Sequence, residues 1–394
     1  MTLAVAEKTA AEKPKCELGD IFREYGDNYR RTHTVPSQHR KVMRAIKRCR
    51  TAKLGGHLDQ CDSCGYQHPA YNSCRDRHCP KCQSLTKAQW VEKQKAELLP
   101  TGAFHLMFSL PHELNPLILC NKRPLLELLF KAVSQTLMEF SHTHLHGTPG
   151  FTLVLHTWDQ QLQSHFHLHC LFPRGALSFD QTRWNPARKS FLFHVESLSI
   201  VFRGKFIDFL EQAFLKQSLV LPKTLQGTHN VYRLVQTLRR KRWYVYSKPP
   251  FSSPEKLLDY LSRYTHRTAI SNHRIRSVKN GQVTFTYRDR DNRGTPLPCI
   301  LKVDEFIQRF LLHVLPPGFM RIRHFGLRSN RKKELLQKAR ELLGLRADLP
   351  PKEKKSTREL MLQFTGIDIT RCPQCKTGML VFLAKLNPLA LDSS

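Results

Sequence analysis

One short stretch restricts the fold of this chain more than any other. His165-Phe166-His167-Leu168-His169-Cys170-Leu171-Phe172 sets imidazoles against apolar side chains in alternation. On a β-strand successive side chains point to opposite faces. His165, His167 and His169 then share one face, while Phe166, Leu168, Cys170 and Phe172 share the other and supply core. Imidazoles along the first face lie about 7 Å apart, a spacing suited to metal ligation. An ordinary half-buried strand with solvent-facing histidines is the plain alternative, but three on one face is improbable by chance. A histidine pair with one acidic or amide ligand leaves open positions on an ion, which can polarise a phosphate oxygen as a Lewis acid. Magnesium or manganese suits phosphate chemistry, although imidazole also suits zinc. Gln161 and Asp159, just before the strand, are candidates for the third ligand.

Residues 56–85 pose a different constraint. They are rich in Cys, His and Gly and have almost no apolar periodicity, so a metal is the expected organiser. Cys61 and Cys64 form one C-x2-C pair, and Cys79 and Cys82 repeat it. Four such thiolates are expected to close one tetrahedral zinc site, with Cys74, His57, His68 and His78 as substitutes nearby. Zinc binding there contributes on the order of 10 kcal/mol to folding. A closed four-thiolate site has no open position, so its role is structural. Cys372 and Cys375 form a further pair with no matching pair nearby; a knuckle completed by remote residues and a plain loop both fit.

Charge decides the class of partner. Lys and Arg number 63 against 32 for Asp and Glu, a net charge of +31. Such an excess attracts polyanions, and DNA or RNA is the expected partner. No apolar run approaches 18 residues, which argues against a membrane role. The N-terminal residues lack a continuous apolar stretch, so a cytoplasmic, reducing location is expected, with the protein on the nucleoid when bound to DNA. The twelve cysteines then read as ligands or core thiols rather than disulfides.

The pattern divides into four segments: a loose tail (1–15), a helical and zinc-binding DNA-binding domain (16–98), an α+β sheet domain (99–295) and a basic helical C-terminal region with the Cys-x2-Cys element (296–394). Strands are expected at 104–110, 151–157, 165–172 and 282–288, and helices at 114–140 and 254–267. Strands and helices in this order fit an α+β fold.

Tyr260 and Tyr264 stand one turn apart on the 254–267 helix, at the border of an apolar arc formed by Leu257, Leu258 and Leu261. Arg263 and Arg267 fall beside them. A tyrosine hydroxyl among guanidinium groups suits attack on a phosphodiester, since cations stabilise the charge that develops. Two boundary tyrosines in an amphipathic helix is the bland alternative; the histidine strand upstream tips the balance. Basic clusters include Arg240 with Arg242, and Arg321 with Arg323. Trp243, Tyr244 and Tyr246 follow the first, and aromatic rings beside cations can stack unpaired bases.

These features together resemble the HUH single-strand endonucleases, specifically the two-tyrosine rolling-circle insertion-sequence transposases of the IS91 type. The segments carrying the resemblance run from Asn72 to Cys82, from Phe108 to Leu114, from His165 to His169, across Tyr260 and Tyr264, and from Gly318 to Gly326. The resemblance implies a ferredoxin-like antiparallel sheet with helices as nuclease core. It maps the HUH pair onto His167 and His169, with His165 an extra histidine beside it, and the nucleophiles onto Tyr260 and Tyr264. It implies a metal-dependent nick in single-stranded DNA through a 5′-phosphotyrosine, with no nucleotide cofactor. The chain has no Gly-rich phosphate loop ending in Lys-Ser or Lys-Thr, in agreement. A replication initiator with the same chemistry and a catalytically inactive zinc DNA-binding protein are the competing readings.

Overall fold

The computed structural model describes residues 14–187, 192–251, 268–289, 294–346 and 355–389. The 254–267 helix, and with it Tyr260, Tyr264, Arg263 and Arg267, lies outside the described residues. Helices and antiparallel sheets mix throughout, giving the expected α+β class.

The chain divides into two compact units: residues 1–89 with 266–314 and 353–394, and residues 90–265 with 315–352. These units do not follow the sequence boundaries at 98 and 295. Part of the difference comes from two late strands, Ile322–Gly326 pairing with Gly150–Trp158 and Leu380–Leu386 with Gly56–Cys61, which local patterning does not encode.

The second unit is built on a five-stranded antiparallel sheet. Its spatial order is Ile322–Gly326, Gly150–Trp158, Ser164–Pro173, Ala103–Ser109 and Val245–Phe251. The histidine strand (Ser164–Pro173) is central, so both its neighbours fix its register. One sheet face is apolar. Phe104, Leu106, Phe108, Phe151, Leu153, Leu155, Phe166, Leu168, Cys170 and Phe172 are all buried in one core with the helices Lys122–Leu145 and Val195–Leu215. Burying phenylalanines of this kind contributes roughly 1.5–3 kcal/mol each. The alternation in the sequence therefore separates a core face from a polar face.

Two local expectations need correction. The helix expected at 114–140 is interrupted: Asn115–Cys120 ends at Asn121, and Lys122–Leu145 starts anew. Pro124 has no N–H to continue a helix, and the Asn121 side chain bonds Leu117 and Val220 carbonyls and accepts from the Val220 N–H. The C-terminal region 296–394 is expected to be helical. Helices form at Val303–Leu312 and Lys333–Leu342, but Ile322–Gly326 is a strand at the sheet edge. Phe325 stacks on Phe151 there, with ring centroids 5.3 Å apart. Gly326 ends the strand in a left-handed conformation (φ 59°), and a Cβ at that position would lie 1.8 Å from the Pro149 carbonyl oxygen.

The first unit opens with the short helices Leu18–Glu24, Gly26–Thr32 and Ser37–Arg48. Leu18, Ile21, Phe22, Val42, Met43 and Ile46 from them are buried, and Phe22 meets Phe310 edge-on at 5.7 Å. Strands Ile275–Lys279, Gln282–Arg288 and Pro296–Lys302 form one three-stranded sheet. The hairpin Gly56–Cys61 and Gln67–Tyr71 forms another, completed by Leu380–Leu386.

Candidate functional site

The polar face of the five-stranded sheet carries the histidines. His167 and His169 stand two residues apart on the central strand, so they share that face. His156, on Gly150–Trp158, pairs directly across from His167. The ring centroids lie 5.3 Å apart for His156 and His167, 4.6 Å for His156 and His169, and 4.9 Å for His167 and His169. All three rings are buried. One nitrogen from each lies within 4.8 Å of the other two, a donor set that fits a single ion held by imidazole.

Hydrogen bonds orient these rings. His167 Nδ1 lies 3.1 Å from the His165 carbonyl oxygen, which can only accept. The proton of a neutral His167 is therefore on Nδ1, and Nε2 carries the lone pair. His169 Nδ1 lies 2.8 Å from His105 Nε2, with the two rings stacked at 5.0 Å. Burial first, and then the charge of Lys248, push His105 down to about 4, so it stays neutral. His169 can then donate from Nδ1 and keep Nε2 for a metal. Such outer contacts fix both tautomer and ring angle.

His167 and His169 are thus brought together as the alternation suggested. His165 is outside that cluster of three; its ring lies 4.6 Å from that of His167, and its carbonyl meets His167 Nδ1. Asp159 is outside that cluster as well. Asp159 Oδ1 accepts from the Gln161 and Gln163 backbone N–H groups and so organises the turn before the strand. His156 and His105 were missed. Alternation puts His156 opposite Leu155 and Leu153, but only the register between strands reveals that it faces His167.

Next to the histidines, the same sheet face leads toward an aromatic edge. Met107 pairs with His169 on one side and with Tyr246 on the other. Tyr244 and Tyr246 are exposed (57% and 38%) and their rings lie nearly parallel, 6.4 Å apart. Lys248 follows on the same strand. Arg240 is exposed at the end of the helix Thr228–Arg240. Arg242 pairs with Glu196 at 3.0 Å on the surface. Arg323 is more enclosed: Glu127 takes it in a two-pronged ion pair at 2.6 and 2.8 Å, and its guanidinium lies 4.1 Å from the Phe130 ring centre. Arg321, beside it, is half-buried.

The cysteines do not form the expected single site. Cys79 and Cys82 group with Cys49 and Cys74, whereas Cys61 and Cys64 group with Cys372 and Cys375. Hairpin geometry explains the split. Cys61 ends one strand of the hairpin and Cys64 lies in its turn, while Cys79 and Cys82 stand at the start of the helix Pro80–Ala96. His57 and His78 pair instead with Asp59 and Asp76, at 3.3 and 2.9 Å, and His68 belongs to neither group. Four soft sulfurs per group suit zinc in a structural role.

Residues 150–335 match a family model described as a putative transposase, and residues 21–110 match a transposase zinc-binding domain. The chain is 44% identical over 374 residues to a putative transposase, y4qJ, from Sinorhizobium fredii, covering 93% of this chain and 94% of that protein. It is 28% identical over 351 residues to the transposase for insertion sequence element IS801 from Pseudomonas savastanoi pv. phaseolicola, covering 87% and 83%. No solved structure matches the chain. No helix among the described residues is long and apolar enough to cross a membrane.

Proposed function

We propose, from the premise that this chain belongs to the IS91-type transposase family, that it nicks and rejoins single-stranded DNA at a histidine-held metal and drives rolling-circle transposition of an insertion sequence. The observation that carries the proposal is the convergence of His156, His167 and His169 on one polar sheet face backed by the core. A bound magnesium or manganese ion would polarise the scissile phosphate there.

The chain's own residues supply the rest. His105 and the His165 carbonyl hold the two central imidazoles at fixed angles. Tyr244 and Tyr246 offer stacking faces for unpaired bases, a contact that tolerates any sequence. Arg240, Arg242 and Arg321 add cations that attract the phosphate backbone, and Arg323 stands on the edge strand paired with Glu127. Arg263 and Arg267 would stand beside the nucleophile. The hydroxyl of Tyr260 or Tyr264 attacks phosphorus, the bond to the 3′ oxygen breaks, and that oxygen leaves as a 3′-hydroxyl. The 5′-phosphate stays on tyrosine, so the later attack of a 3′-hydroxyl restores a phosphodiester without a nucleotide cofactor. The second tyrosine permits a second transfer.

The test mixes the protein with a 3′-labelled single-stranded oligonucleotide from the element end and with magnesium or manganese. A denaturation-resistant adduct carrying the label is expected. It should vanish in Tyr260→Phe with Tyr264→Phe, and in His167→Ala. Tight binding with no adduct under either metal would leave DNA binding and refute the nuclease.

A further inference from the structure

We propose that this protein carries a second structural zinc ion, held by Cys61 and Cys64 from the N-terminal hairpin and by Cys372 and Cys375 from a knuckle more than 300 residues later. The matched zinc-binding domain ends at residue 110. It contains Cys49, Cys74, Cys79 and Cys82 in full, but only half of this other group. The inference is independent of the chemistry at the histidines.

Sulfur spacing is the first support. Cys61 Sγ lies 3.6 Å from Cys375 Sγ, and Cys64 Sγ lies 3.7 Å from Cys372 Sγ. Four sulfurs about 2.3 Å from one zinc ion form a tetrahedron with an edge of about 3.8 Å. A disulfide would require about 2.05 Å. The Cys49 group has the same spacing, 3.6 Å from Cys82 to Cys49 and to Cys74.

Backbone shape is the second support. A left-handed residue follows the second cysteine of each pair: Gly65 (φ 72°) after Cys64 and Lys376 (φ 61°) after Cys375. In the other group Arg50 and Arg75, both at φ 54°, follow Cys49 and Cys74 in the same way. Side-chain-bearing residues rarely adopt this conformation. Its recurrence after ligand positions marks the tight turns that aim sulfurs at a common point. The Gly378 N–H also points at Cys375 Sγ, at 3.3 Å, a contact that favours thiolate.

The two knuckles are also fitted to each other. Asp62 Oδ1 accepts from the Met379 N–H at 2.9 Å, and the Asp62 N–H donates to the Met379 carbonyl at 3.0 Å. A Cβ on Gly378 would stand 2.4 Å from Cys61 Sγ, so only glycine lets the late knuckle approach. From this point Leu380–Leu386 continues along Gly56–Cys61 as a third strand. The ion thus closes the end of a sheet whose strands come from distant parts of the sequence.

Zinc content and thiol protection test this on the full chain. A His167→Ala, His169→Ala background removes the histidine contribution to the count. Two zinc ions per chain are expected there, falling to one when Cys372→Ser and Cys375→Ser are added. One ion before the cysteine changes, or no loss after them, would overturn the proposal. Should the serine variant precipitate, the unsubstituted chain decides. Alkylation read by peptide mass spectrometry should find Cys61, Cys64, Cys372 and Cys375 shielded together and released together by a chelator, with exposed Cys120 as the reactive reference. Cys372 and Cys375 reacting as fast as Cys120 before chelation would refute the site.

Discussion

His105 Nε2 lies 2.8 Å from His169 Nδ1, with both rings buried on the polar face of the sheet. His105 cannot reach an ion through the nitrogen it shares with His169, so it acts as a positioning residue. Replacing His105 by Leu should weaken manganese binding by roughly 10- to 100-fold, the usual cost of losing such a support. His169→Ala should lose the site altogether. Calorimetric titration of both variants with manganese, with circular dichroism to check the fold, distinguishes them. Equal affinity in His105→Leu and the unsubstituted chain would remove the support role.

Tyr244 and Tyr246 present parallel, exposed rings beside this face. Base stacking on one aromatic ring is worth about 1–3 kcal/mol, or roughly 5- to 150-fold in affinity. Tyr246→Ala should weaken binding of a single-stranded oligonucleotide within that range, and Tyr246→Phe should retain it. Fluorescence anisotropy at one fixed salt concentration gives the comparison. Equal losses in Ala and Phe would point to the hydroxyl instead of the ring.

His324 packs beside Thr152, with its Nδ1 2.9 Å from the Thr152 hydroxyl. Burial, then the charges of Arg328 and Lys93, push it down to about 3 from an ordinary value of 6.5. The unfolded chain therefore takes up a proton near pH 6.5 that the folded chain refuses until about pH 3. Stability should fall as pH drops through that window, by at most about 1.4 kcal/mol per pH unit for this one proton. Urea unfolding at pH 7 and pH 5 should give a smaller difference in His324→Gln. An unchanged difference would assign the pH dependence to other groups.

Arg323 and Arg240 should separate structure from DNA contact. Arg323 is engaged by Glu127 and by the Phe130 ring, so Arg323→Ala should destabilise the fold by about 1–2 kcal/mol. Arg240→Ala should leave the melting temperature in place and reduce the salt slope of single-strand binding by about 0.7. A full slope change in Arg323→Ala without destabilisation would reverse these roles.

The parts of this molecule that were legible in the sequence are those encoded locally. Alternation alone assigned His167 and His169 to one face and Phe166, Leu168 and Phe172 to the other, and the strand at 282–288 was read to the residue. What was illegible depends on register between strands. His156 meets His167 only because two strands pair with one offset, and a shift of one residue would turn it away. The cysteines make the same point. Equal C-x2-C spacing suggested that Cys61 and Cys64 belong with Cys79 and Cys82, yet spacing says nothing about which pairs meet in space. Pro124 lacks the N–H that a helix running through it needs, and apolar periodicity alone does not register that break.

The pairing of Leu380–Leu386 with Gly56–Cys61 imposes an order of birth on the protein. At roughly 5–20 residues per second of synthesis, the early hairpin waits some tens of seconds before its third strand leaves the ribosome. Throughout that interval it offers an open sheet edge, and a message cut short would yield a nascent chain that never covers it.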